Sequence, residues 1–137
     1  MKIYIAARAK TREQEVKQIV KKLKSAGHTI TYDWASENHR ILKPYRHPHY
    51  RKSNSSAIPK MLEAAAKADV FVLLDEPGLR GAYVELGAFL HEALKNPKNR
   101  KVYIVGPNSH EREHIFESPE YVLFAKDMDE VYSSLVE

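Results

Sequence analysis

The residues best placed to do chemistry lie between Asp69 and Leu90. Glu85 is flanked by Gly81 and Gly87, near the start of an apolar stripe (Val84, Leu86, Phe89, Leu90, Leu94) that predicts a helix. Glycine on both sides leaves room for a ligand and a neighbouring backbone. Asp75 is a second acid, at the carboxyl end of the apolar run Val70–Leu74. Two cations, Arg8 and Lys10, stand between the first apolar run and the first helical pattern. Open N–H groups and the helix dipole make such a position attractive to anions. The glycines of a dinucleotide fingerprint or a P-loop are missing there, which favours a phosphate monoester over a cradled pyrophosphate. Spacing alone leaves plainer readings open. Glu85 also reads as an acid complementing a helix dipole, Arg8 and Lys10 as solvated charges, and Tyr4 as core. His39, His47 and His49 have no carboxylate at ligand spacing beside them, so they read as a solvated loop and not as a metal site.

The elements that must position these groups follow from the apolar pattern. Val70–Leu74 is continuous and rich in Val and Leu, as a strand covered on both faces should be. The turn Asp75-Glu76-Pro77-Gly78 separates it from the Glu85 helix, which starts near Gly81. Lys2–Ala7 is a first strand. A helix runs from about Thr11 to Ser25, with Thr11 and Gln14 as a capping box and Val16, Ile19, Val20 and Leu23 facing the core. Gly27 closes it, and His28–Asp33 completes a right-handed βαβ unit. Trp34–Ser56 is the least regular stretch; the aromatics Tyr32, Trp34, Tyr45 and Tyr50 in and beside it either stack on a base or cap the core. A helix spans Ile58–Ala68 with Pro59 at its first position. Lys101–Val105 is a fourth strand, followed by a short helical turn at His110–Phe116. Tyr121–Ala125 is an edge strand, and Asp127 caps a last helix to Val136. The sum is an α/β, three-layer αβα, flavodoxin-like fold. Its five-stranded, mainly parallel sheet has the order 2-1-3-4-5. The switch point falls between strands one and three, which gathers Arg8, Lys10, Asp75 and Glu85 around one crevice.

Composition sets the outer bounds. The 137 residues suit a single domain, 1–137, with 43% hydrophobic and 29% charged residues. No apolar run approaches the ~20 residues of a membrane span, and the first residues read as a strand rather than a signal peptide. Without cysteine there is neither a disulfide framework nor a thiolate nucleophile, and a cytoplasmic setting fits. The net charge of +4 favours anionic ligands only slightly. Nucleic-acid binding through Lys43–Lys52 is the weaker alternative.

Four segments together resemble the nucleoside 2-deoxyribosyltransferase family and its relatives, the 2′-deoxynucleoside 5′-phosphate N-hydrolases. They are Lys2–Ala7 with Tyr4; Ala68-Asp69-Val70-Phe71-Val72; Gly81-Ala82-Tyr83-Val84-Glu85-Leu86-Gly87; and Val102–Pro107 followed by His114-Ile115-Phe116. The resemblance implies cleavage or exchange at the N-glycosidic bond of a nucleoside or nucleoside 5′-monophosphate. Glu85 would be the nucleophile or oxocarbenium stabiliser, Tyr4 would orient it, and Asp75 is carried as a further catalytic candidate. Ala7, Arg8 and Lys10 would line the sugar–phosphate side, and Gly81 would leave room for the sugar. Asn108 would complete a neighbouring subunit's pocket in a homo-oligomer, a dimer or larger. The implied partner is a small molecule, with no cofactor, metal or membrane. A carboxylate suits this reaction because the sugar becomes positive as the base departs. The base needs a proton, so a second acid or a water is expected. Relatives carry an aspartate where this chain has Met61; Asp75, Asp33 and Glu63 are the candidate substitutes. If none serves, the chain reads as a nucleotide-binding module that does not cleave.

Overall fold

The computed structural model describes residues 1–37, 50–107 and 120–136. Asn108, the histidines at 39, 47 and 49, most of the basic loop and the segment at His114–Phe116 lie outside the described residues.

Five strands form one parallel sheet in the order β2-β1-β3-β4-β5, as the pattern predicts: β1 (Lys2–Ala6), β2 (Thr29–Ile30), β3 (Val70–Leu74), β4 (Lys101–Val105) and β5 (Val122–Ala125). β3 is buried along its whole length, as are Ile3–Ala6 and Val102–Val105. Such strands need no alternation because helices cover both faces. Tyr4 pairs with Phe71 and Ala6 with Leu73, while Leu74 pairs with Val105. The carboxyl ends of the three central strands therefore open on one edge.

Helix α1 (Ala9–Ser25) turns Val16, Ile19, Val20 and Leu23 inward. It shares a layer with α5 (Met128–Val136), where the Lys22 ammonium sits 4.0 Å from the Tyr132 ring centroid. A two-bond Schellman closure ends α1. Gly27, at φ +93°, donates to the Lys24 carbonyl (3.0 Å), and His28 donates to that of Leu23 (3.1 Å). Asp127 accepts from the Glu130 N–H at 3.2 Å, the cap predicted for α5. Helices α3 (Tyr50–Lys67) and α4 (Gly81–Lys95) pack against each other over the opposite face.

Several boundaries differ from expectation, and β1 and α3 each end one residue early, at Ala6 and Lys67. α1 begins at Ala9, with its first bond from the Arg12 N–H to the Arg8 carbonyl. Thr11 thus lies inside the first turn and cannot form a capping box. β2 is two residues long instead of six, because the chain leaves the sheet to form α2 (Trp34–Glu37). The Trp34 indole N–H then takes the Ile5 carbonyl, at 2.6 Å, that a longer β2 would have paired. α3 starts at Tyr50, with Pro59 inside it rather than at its first position. A proline within a helix removes one N–H bond, and α3 continues past that single loss. β5 begins one residue later than expected, at Val122.

Candidate active site

The sheet itself aims Glu85. Tyr4 stacks on Phe71 (centroids 5.6 Å apart), and Phe71 meets Phe89 of α4 at 5.6 Å. Glu85 lies one turn before Phe89 on the same helix face, so anchoring Phe89 in the core turns Glu85 toward β1. There the Tyr4 hydroxyl donates to Glu85 Oε2. Tyr4 has no exposed surface. Burial pushes the Glu85 carboxyl up to about 7, and the Tyr4 hydrogen bond pulls the other way. The Tyr4 phenol is driven well above its ordinary value, first by burial and then by the charge and hydrogen bond of Glu85. The pair thus holds a carboxylate that titrates near neutrality beside a phenol that keeps its proton.

Glu85 borders a cavity of about 560 Å³ between the loop after β1, the loop after β3 and the α3–α4 pair. Ala7, Arg8, Arg80 and Gly81 form one side. Trp34, Ile58, Met61 and Leu62 form an apolar side. Gly81 borders the cavity, and a methyl group built on it would meet nothing of the protein within 4 Å.

Arg8 does reach this crevice, but its guanidinium is engaged within the protein. It donates to the Pro77 carbonyl at 2.9 Å, and its Nε lies 3.6 Å from Glu76 Oε2. Gly78, at φ +85°, passes so close that a Cβ would lie 2.8 Å from Arg8 Nη2. Arg12 holds Glu76 from the other side at 3.1 Å. Lys10 is exposed and does not border the cavity.

None of the candidate second acids borders the cavity. Asp75 is buried and accepts a hydrogen bond from Tyr83 of α4 at 3.0 Å. Asp33 caps α2, accepting from the Ser36 N–H and hydroxyl at 3.3 and 2.9 Å. Glu63 is exposed and pairs with Lys67 at 2.6 Å. Asp69 is at the opposite edge of the sheet, where it accepts from the Lys2 N–H at 3.0 Å. Met61, where the family resemblance implies an aspartate, is part of the cavity wall. Arg80 also borders the cavity, and sequence reasoning passed over it because a lone arginine in a turn carries no pattern. Among the described residues no cluster of metal-ligating side chains occurs, and no helix is long and apolar enough to cross a membrane.

No family model matches the chain, and no curated protein matches it. Among solved structures, the CMP N-glycosidase BcmB of Clostridium botulinum superposes with a TM-score of 0.57 at 13% identity. The match covers 99% of this chain and 98% of that one. At that identity the likeness establishes a common fold.

Proposed function

We propose that this chain cleaves the N-glycosidic bond of a nucleoside or nucleoside 5′-monophosphate, by hydrolysis or by base exchange. The observation that carries the reading is the Glu85 carboxylate on the cavity wall, hydrogen-bonded by Tyr4 and adjoined by Gly81. The bond from the anomeric carbon to the base nitrogen breaks, and its electron pair leaves with the base, which gains a proton from water or an acid. Ionised Glu85 stabilises the oxocarbenium ion or bonds to it. Water then adds, giving up a proton, to yield the free sugar or its 5-phosphate, or a second base adds to give a new nucleoside or nucleotide. Tyr4 holds the carboxylate in place, and Asp75 fixes Tyr83 in the first turn of the same helix. A structural neighbour named as a CMP N-glycosidase supports this choice of chemistry. The proposal includes a homo-oligomer in which Asn108 closes a neighbour's cavity; a monomer by light scattering would remove that part.

The test is release of free base from a panel of nucleosides and nucleoside 5′-monophosphates, CMP included. Wild type should release base from at least one, and Glu85→Gln should lower the rate at least ~1,000-fold, a loss typical of a nucleophile. Equal rates in the two proteins reject the assignment. Met61 on the wall favours one second reading, a module that binds the nucleotide without cleaving it. Saturable binding with no base released from any compound selects that reading.

A further inference from the structure

Among the described residues, two that border the cavity carry guanidinium groups, Arg8 and Arg80, and their surroundings differ. Arg8 is bound to the Pro77 carbonyl and sits beside Glu76, so much of its charge is answered inside the protein. Arg80 is exposed, and no ion pair or hydrogen bond of its side chain occurs among the described residues. It is the residue from which α4 begins, and α4 has no side-chain cap. The helix therefore adds its positive end to the guanidinium.

We propose that Arg80 grips the 5′-phosphate and decides between nucleotide and nucleoside, which rests on reading Glu85 as the group facing the anomeric carbon. Arg80 precedes Glu85 by five residues, a rise of ~7.5 Å along the helix. That backbone rise is of the same order as the span from anomeric carbon to phosphate in a nucleotide, and both residues border the same cavity. One rigid element thus carries both the carboxylate for the sugar and the cation for its tail. The fork of an arginine suits a phosphate, donating to two of its oxygens at once in charge-assisted hydrogen bonds. Arg8 has a different role: it ties the β3–α4 loop to the end of β1. Sequence spacing alone points to Arg8 and Lys10 for the anion, whereas the cavity points to Arg80.

The experiment compares kcat/KM for 5′-monophosphates (CMP, UMP, AMP, GMP and their deoxy forms) with that for the matching nucleosides. Wild type, Arg80→Gln and Arg80→Lys are measured, each checked for an unaltered melting curve. Arg80→Gln should lower the monophosphate-to-nucleoside ratio at least tenfold, mainly through KM for the monophosphate, and Arg80→Lys should recover part of it. A ratio within twofold of wild type in Arg80→Gln overturns the proposal. If no compound releases base, the reading of Glu85 has failed, and calorimetric binding of the same monophosphates decides the role of Arg80. Binding weakened at least tenfold in Arg80→Gln supports it. Equal affinity, or no binding by wild type, overturns it.

Discussion

Two strand-to-helix turns meet where the sheet reverses its order, and they use positive charge in opposite ways. After β1 the chain needs only Ala7 and Arg8 before α1 starts. After β3 it takes residues 75–80 to reach α4. The short turn leaves its arginine against the longer loop, where Arg8 braces Pro77 and Glu76. The long turn carries its arginine to the edge of the cavity, at the head of the helix that bears Glu85. A cation's position in the sequence does not say whether it will serve the fold or the ligand. The loop length and the neighbouring carbonyls and carboxylates decide that.

The comparison can be broken from either side. Short of replacing Glu85 itself, the largest effect should come from the residue beneath both turns. Tyr4→Phe removes the hydrogen bond that favours ionised Glu85, so the Glu85 pKa rises above its value of about 7. Base release should then fall roughly 10- to 100-fold at pH 7, and its acid limb should move to higher pH. A limb that stays in place means the hydrogen bond does not tune the carboxylate.

Arg80→Gln comes next, with its tenfold loss of preference for monophosphates. Arg8→Ala should act differently, because its partners belong to the protein. It should lower stability by about 1 kcal/mol, roughly 4 °C in Tm, and slow nucleoside and nucleotide substrates by similar factors. A selective loss on monophosphates in Arg8→Ala would reverse the roles assigned to the two arginines.

The last prediction concerns stability against pH. Glu85 has a raised pKa in the folded state, so folding takes up protons between the ordinary carboxylate value of 4.5 and about 7. Its contribution is fully present below pH 4.5 and is lost as pH rises through 7. Glu85→Gln should therefore gain in Tm relative to wild type between pH 5 and pH 8. A constant difference across that range would place the carboxylate in a more solvated setting.

Much of the fold was legible because continuous apolar runs mark buried parallel strands. Val70–Leu74 and Lys101–Val105 lie where those runs place them. The first half of α3 was hidden, since Arg51–Ser56 is a polar run with no helical period and Pro59 imitates a helix start. The end of β2 was hidden because it depends on Trp34 reaching back to Ile5, a contact that no local pattern encodes. Glu85 stood out through its glycine neighbours. Tyr4 stood out only through family resemblance, because a tyrosine in a first strand ordinarily reads as core. Its partner depends on the Tyr4–Phe71–Phe89 ring contacts that set the roll of α4. Arg80 left no trace in the pattern, for its setting arises from the path of the loop.

The most direct test of Glu85 as the group facing the sugar is chromatographic detection of free base at pH 8. Purified wild type and Glu85→Gln are each incubated with the nucleotide and nucleoside panel. The account predicts base from wild type and at least ~1,000-fold less from the variant, with both proteins folded. Base released by Glu85→Gln at the wild-type rate would contradict it.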